Sequence, residues 1–123
     1  MPFMVWKTIR LELACTDAFP RGSAGRAFLL HVPIAGDGRI DRLEMDQHPG
    51  RATVRRYWGS EPDSFGPVEA LEDSWALCCT PEVADEPAYL LDAVPLHLND
   101  RVNVRQPVGG TLPFRVASVQ ASG

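Results

Sequence analysis

Apolar and polar residues alternate along the beginning of the chain. In residues 4–14, every second position from Val5 to Leu13 is apolar, and Lys7 is the exception. A period of two, with β-branched and aromatic residues among the positions, is typical of a half-buried β-strand. We therefore predict a long first strand over residues 4–14.

A second alternating stretch follows after a loop predicted over residues 16–25. In residues 26–34 one parity is entirely apolar and is expected to face the core: Phe28, Leu30, Val32 and Ile34. His31 falls on the other parity, together with Leu29. Because successive side chains of a strand point to opposite faces, we expect His31 to lie on the outer face.

A short helix is predicted over residues 41–48. Asp41 followed by Glu44 has the spacing of a helix N-terminus, and Pro49 with Gly50 ends the segment. The spacing from Asp37 to Glu44 also resembles the second half of a calcium-binding EF-hand loop. However, positions 33 and 35 are Pro and Ala, which offer no side-chain oxygen. A turn leading into a capped helix is therefore the interpretation that we prefer.

The rest of the chain reads as short strands separated by turn signals. They are expected over residues 51–58, 68–71, 74–80, 88–98 (bent or ended at Pro95), 102–105 and 112–119. The total is about eight short strands and one short helix, a pattern typical of all-β, mostly antiparallel proteins. We predict a single domain over residues 1–123 that forms a small β-barrel or a barrel-like sandwich.

Charge is distributed unevenly along the chain. The formal net charge is −4, but residues 57–100 contain ten acidic residues and no Lys or Arg. This distribution excludes a polybasic nucleic-acid arm. It predicts that arginines on the flanking strands neutralise these acids within the molecule, with the Arg-bearing strand 51–58 pairing with one or more of Glu61, Asp63, Glu69, Glu72 and Asp73.

Cysteine usage and hydropathy predict a cytoplasmic protein without a membrane segment. Three cysteines in a chain of this length do not indicate a disulfide framework. No stretch approaches the roughly 18–20 apolar residues that span a bilayer. Lys7, Arg10 and Glu12 interrupt the apolar run that a signal peptide would need.

Residues able to contact a small ligand are scattered along the sequence. A barrel of about eight strands can hold one small ligand, and the candidates for binding it, or for enzymatic use, are His31, His97, Asp92, Asp100 and Cys78. No phosphate loop, nucleophile elbow or metal-ligand spacing is present in the sequence. We therefore predict no catalytic residue, no metal and no cofactor.

One segment combines basic and aromatic side chains. It carries the residues that a nucleic-acid or partner surface would use: Arg51, Arg55, Arg56, Tyr57 and Trp58. Arg55 and Arg56 are neighbours on a predicted strand and should point to opposite faces. The net charge of −4 also argues against nucleic acid. Nucleic-acid binding is therefore only the third hypothesis.

The last third of the chain has a recurrent barrel pattern. Leu96-x-x-x-Asp100-x-Val102-x-Val104, followed by Gly109-Gly110 and Phe114-x-Val116-x-x-Val119, resembles the closing hairpin of the β-barrel domain of translation elongation factors. The resemblance implies barrel topology and no nucleotide activity. The whole chain also resembles an uncharacterised family of small bacterial proteins.

Together these features favour a non-catalytic binding or interaction module. Its partner would be another protein or a small ligand, and its two oppositely charged faces would also suit a homo-oligomer. A small enzymatic or ligand-binding barrel is the alternative hypothesis.

Overall fold

Each strand of the protein pairs with the next strand along the chain, and the last strand pairs with the first. The structure, a computed structural model, describes residues 4–59, 61–78, 88–107 and 110–121. These residues form the helix α1 (Arg42–Gln47) and the strands β1 (Met4–Leu13), β2 (Ser23–Ala35), β3 (Thr53–Trp58), β4 (Ser64–Ala70), β5 (Ser74–Leu77), β6 (Tyr89–Asp92), β7 (Arg101–Arg105) and β8 (Thr111–Ala121). All neighbouring strands are antiparallel and the sheet closes into a barrel. The predicted all-β class is confirmed, in its barrel form.

The up-and-down course gives the barrel two different ends. At one, here the helix end, lie the β2–β3 connection with α1, the β4–β5 turn and the β6–β7 connection. At the other, here the loop end, β1, β3, β5 and β7 end and β2, β4, β6 and β8 begin. Four buried residues from the described connections of the helix end belong to the core cluster: Ile40, Met45, Ala52 and Leu96.

The interior of the barrel is filled by side chains of the inward parity. Phe28, Leu30 and Val32 of β2 are 0% exposed, as the alternation predicted. The other large residues with almost no exposure come from strands all around the barrel: Ile9, Leu11, Val54, Leu77, Leu91, Val104, Phe114 and Val116. An eight-stranded barrel is just wide enough to be filled in this way.

The predicted helix start is confirmed by its capping contact. Asp41 is the N-cap of α1, and its Oδ1 accepts a hydrogen bond from the backbone N–H of Glu44 at 3.1 Å. His48 ends the helix, and its Nε2 lies 2.9 Å from Glu44 Oε1. The predicted turn before the helix is also present, since Gly38 has φ +87°. The Asp-rich segment is thus a turn and a capped helix.

Several strand boundaries differ from those predicted. The sequence predicts a loop between the strands expected over residues 51–58 and 68–71. This prediction is wrong for residues 64–67, which belong to β4 and pair with β3. The second half of β4 then pairs with β5. Because closure of the barrel requires a partner on both sides of β4, strand pairing overrides the turn-rich composition here. The strand expected over 88–98 is shorter, because β6 ends at Asp92, before Pro95.

Trp6 is buried although it lies on the outward parity of β1. Its side chain is 7% exposed. The Arg51 guanidinium lies 4.2 Å from the centre of its ring, and the centre of the His31 ring lies 5.2 Å away. The chain that follows α1 therefore covers an aromatic residue of the outer surface, which the alternation in β1 alone does not predict.

Neutralisation of the acidic segment is confirmed at one pair. Arg56 Nη2 lies 2.7 Å from Glu61 Oε2. The other arginine ion pairs of the described residues are formed with acids outside segment 57–100, as in Arg10–Glu12 and Arg39–Asp37. The strand order explains this result, since β3 pairs with only one strand of the acidic segment, β4.

Candidate ligand-binding sites at the two ends of the barrel

Three cations have the parity of the barrel interior, Lys7, Arg26 and Arg56, and two of them pair with fully buried residues. Lys7 of β1 pairs with Val32 of β2, and Arg56 of β3 pairs with Phe28 of β2. Directly paired residues point to the same side of a sheet, and both Val32 and Phe28 are 0% exposed. Lys7 and Arg56 therefore point inward, Lys7 near the helix end and Arg56 near the loop end.

Arg56 lies in an aromatic environment that already contains its counter-charge. Its guanidinium lies 4.9 Å from the ring centre of Trp58 and 5.6 Å from that of Tyr89. The side chain is 13% exposed, and its Nη2 contacts the Glu61 carboxylate. The Arg56 Nε is buried without a hydrogen-bond partner among the described residues. The charge of Arg56 is thus balanced by Glu61, but one donor of its guanidinium is unused.

Lys7 lines a cleft at the helix end of the barrel. The cleft has a volume of about 360 Å³, at the lower limit of the range typical of small-molecule sites. Its apolar side chains come from β1, β2, β8 and the β6–β7 connection: Val5, Ile34, Leu96, Leu98 and Val119. Lys7 and His97 are its two polar side chains. A mostly apolar cleft with a few polar groups is the usual composition of a ligand site.

The cleft exposes apolar surface to solvent. Val5 is 38% exposed and Leu98 is 56% exposed. Both line the cleft together with its two polar side chains. An apolar ligand in contact with them would remove this area from water, which is favourable by roughly 25 cal/mol per Å².

Lys7 differs from Arg56 in having no counter-charge. Within residues 4–59, 61–78, 88–107 and 110–121, no carboxylate lies within 4.0 Å of its amine. Its half-buried side chain also makes no hydrogen bond there. A partly buried cation without a partner is unfavourable unless something satisfies it. The amine can be satisfied by an anion that enters the cleft.

His97 is held at the cleft by its neighbours in the two connections. Its ring packs against Gly38, and the Leu96 N–H donates to the Gly38 carbonyl at 2.8 Å. The His97 backbone N–H donates to Asp100 Oδ2 at 3.3 Å, and Nδ1 lies 3.5 Å from the same oxygen. Asp100 therefore orients His97 at the cleft.

The predicted ligand residues do not assemble as one group. His97 and Asp100 are brought together, as described above. His31 is on the outer face against Trp6 and is not among the residues that line the cleft. Asp92 is exposed at the end of β6, paired with Ser74. Cys78 lies beside Glu69 at the end of β5.

The Cys78 thiol is partly buried on the outer side of the sheet. Burial raises the pKa of this thiol, and the charge of the Glu69 carboxylate and a hydrogen bond with it raise the pKa further. Thiolate, the nucleophilic form, is therefore disfavoured at Cys78. The environment of Cys78 is the opposite of that of an activated cysteine.

The basic and aromatic residues of β3 do not form one surface. Arg56 and Trp58 point inward, whereas Arg55 and Tyr57 point outward. The Arg55 guanidinium lies over the Phe65 ring, and the Arg10 guanidinium lies over the Tyr57 ring. Arg51 precedes the strand and covers Trp6, as described above. Nucleic-acid binding through these five residues stays a prediction, without support from their arrangement.

A second groove lies between α1 and β4. It has a volume of about 410 Å³ and is lined by apolar residues, including Met45 and Val68, and by Asp46, His48 and Glu69. Among the residues described, no three His, Cys, Asp or Glu side chains are placed to hold a metal ion. His48 already contacts Glu44. Glu69 contacts Cys78 and Asp46 is exposed, so, unlike the Lys7 cleft, this groove has no partly buried charge without a partner among the described residues.

Lys7 is the residue of the candidate site that sequence reasoning missed. A signal was present, because Lys7 is the one polar residue on the apolar parity of the first strand and the only lysine of the chain. The alternation identified it as an exception without indicating what surrounds it.

Comparisons with protein-family models, with curated proteins and with solved structures give no match to this chain. The resemblance of residues 96–119 to the barrel domain of elongation factors stays a prediction. Among the described residues, no helix is long and apolar enough to cross a membrane.

Proposed function

We propose that this protein is a binding module for a small amphiphilic anion, a molecule with an apolar body and one carboxylate. The single observation that supports this function most directly is Lys7, an inward-pointing lysine at an apolar cleft with no acid near it among the described residues. The anion would supply the missing counter-charge. The apolar body would contact Val5, Leu98 and their neighbours.

The arrangement suits binding of modest affinity. Val5 and Leu98 of the cleft are exposed, so part of a ligand in contact with them would stay in contact with water. For a ligand of about ten non-hydrogen atoms, at roughly 0.4 kcal/mol per atom, the dissociation constant is on the order of 1 mM. A ligand with a longer apolar body would bind more tightly.

A titration with octanoate, with 1-octanol as the neutral match, tests this function. Isothermal calorimetry gives the affinity, and ¹H–¹⁵N NMR spectra show whether the amides of Val5, Lys7, Leu98 and Val119 shift. We expect octanoate to bind at least about five times more tightly than 1-octanol, because a partly buried ion pair contributes on the order of 1 kcal/mol.

Variants identify the group responsible for the preference. Lys7→Met should remove the preference for the anion and leave binding of 1-octanol unchanged, whereas Lys7→Arg should keep the preference. Arg10→Met is the matched control, since Arg10 lies on the same strand but pairs with Glu12 on the outer side. Equal binding of octanoate to the Lys7→Met protein and to the unaltered protein would refute the proposed function.

The described cysteines indicate the cellular compartment in which the protein functions. Cys15 and Cys78 are free thiols, and free thiols are typical of a reducing compartment. We therefore place the protein in the cytoplasm, and a bacterial origin and an interaction with a partner protein stay predictions. No described feature requires a metal or a cofactor.

A further inference from the structure

The loop end of the barrel carries a second cation with an unusual environment. Arg56 points inward and is 13% exposed, which is rare for an arginine that is not fully paired. Behind it, the rings of Phe28 and Phe114 pack with their centres 5.2 Å apart. Trp58 and Tyr89 contact the guanidinium itself. The charge is thus bounded by rings on the inner side and by Glu61 on the outer side.

The pairing of Arg56 with Glu61 leaves the guanidinium incompletely used. Glu61 reaches Nη2 at 2.7 Å, while Nε is buried and donates to no described acceptor. A carboxylate or phosphate that approaches a guanidinium in the plane of its nitrogens receives two parallel hydrogen bonds. A bidentate anion at this position could use Nη2 and Nε together, which Glu61 does not do.

Glu61 is the replaceable member of the pair. Its side chain is 57% exposed, whereas that of Arg56 is 13% exposed. An exposed carboxylate keeps most of its hydration while it is in an ion pair. When it leaves the pair, it regains full contact with water. The buried guanidinium would not be hydrated to the same extent. It therefore needs an anion, but that anion need not be Glu61.

The neighbouring rings favour an anion with an aromatic body. Trp58 is half-buried and contacts both Arg56 and Arg26, the latter at 5.2 Å from its ring centre. A planar ring can stack on Trp58 while its acidic group meets Arg56, and such ring contacts contribute beyond the buried area. Arg26 adds a second positive charge at the same ring.

We propose that Arg56, Trp58 and Tyr89 form a second binding site, for a small aromatic carboxylate or aromatic phosphate, in which Glu61 occupies the anion position until the ligand displaces it. This site is independent of the Lys7 cleft, because it lies at the opposite end of the barrel and shares no residue with it.

Benzoate and phenyl phosphate are the probes for this site, with benzyl alcohol as the neutral match and cyclohexanecarboxylate as the non-aromatic match. The readout is the Nε–H signal of Arg56 in ¹H–¹⁵N spectra, with affinity taken from the titration of its shift. We expect one or both aromatic anions to shift this signal and benzyl alcohol to leave it unchanged. Which of the two acids binds more tightly distinguishes carboxylate from phosphate. Weaker binding of cyclohexanecarboxylate would support stacking on Trp58.

The decisive variant is Glu61→Gln, which removes the internal competitor from an exposed position and should not disturb folding. We expect the affinity for the aromatic anion to rise at least about threefold, the ratio that corresponds to loss of an exposed ion pair. Arg56→Lys keeps the charge but not the bidentate geometry and should weaken binding. Arg55→Met is the control, because the neighbouring Arg55 points outward over Phe65.

Two results would overturn the proposal. One is an unchanged Arg56 Nε–H signal with both aromatic anions at concentrations up to about 20 mM. The other is an affinity that Glu61→Gln does not raise. Lys7→Met should have no effect on these titrations, so that failure of this site and failure of the Lys7 cleft are observed separately.

Discussion

The imidazole of His97 occupies the space in which a side chain of Gly38 would stand. A Cβ at Gly38 would collide with His97 Nε2, and Gly38 has φ +87°, a conformation that residues with side chains rarely adopt. The contact joins the β2–α1 connection to the β6–β7 connection. It also determines where His97 stands beside the cleft.

Gly38→Ala should therefore destabilise the protein more than an ordinary glycine replacement. We expect a loss of about 2–4 kcal/mol in the free energy of unfolding, from backbone strain and from displacement of the His97 ring. Urea denaturation measures this loss. Gly50→Ala is the matched control, since Gly50 has φ +85° with nothing within 4 Å of the added Cβ, and it should lose only about 1 kcal/mol. Equal losses in the two variants would contradict the role given to the His97 contact.

Alkylation of Cys78 should be slow and should be accelerated by removing Glu69. Burial and the Glu69 carboxylate raise the pKa of the thiol, so less thiolate is present at pH 8 than in an ordinary cysteine. Glu69→Gln removes the charge, lowers the pKa and should increase the rate of reaction with iodoacetamide by about two- to fivefold. Mass spectrometry in a Cys79→Ser background follows the modification of each remaining thiol.

Cys15 is the internal reference in that measurement, because it is exposed in the same molecule. Its rate of alkylation should not change in Glu69→Gln. Acceleration of both thiols would indicate general loosening of the protein instead of a local effect on Cys78.

Loss of the cap at Asp41 should weaken α1 without changing the barrel. Asp41→Ala removes the hydrogen bond accepted from the Glu44 N–H and should lower the free energy of unfolding by about 1 kcal/mol. Asp46→Ala, at an exposed position of the same helix, should change it by less than about 0.5 kcal/mol. Urea denaturation of the two variants gives the difference. A loss in Asp46→Ala as large as that in Asp41→Ala would mean that the cap is not the cause.

The local elements of this protein could be predicted well from its sequence. Three features depend only on residues close together in the chain: the alternation in β1 and β2, the cap at Asp41 and the turn at Gly38. Neighbouring residues therefore suffice to predict them. The same local reasoning failed for residues 64–67, where pairing with β3 makes a strand of a turn-like sequence.

The candidate sites could be predicted only in part. His97 and Asp100 were identified and are together, because three residues of separation let one turn join them. Lys7 was visible as an exception, but its meaning depends on the approach of residues from β2, β8 and the β6–β7 connection. Arg56 of β3 was identified as a candidate residue. The sequence did not show that its side chain points into the barrel near the loop end.

The sequence by itself determined most of the strands, the short helix that begins after Asp41, and which side chains of β1 and β2 face the core, because these follow from local periodicity. The tertiary structure decided which charged side chains are satisfied. Barrel closure places Lys7 beside apolar residues and Arg56 beside Glu61 and two rings. The physical reason is that the burial of these two cations depends on residues far apart in the chain, such as Val119 beside Lys7 and Tyr89 beside Arg56, and only the register of the paired strands brings those residues together.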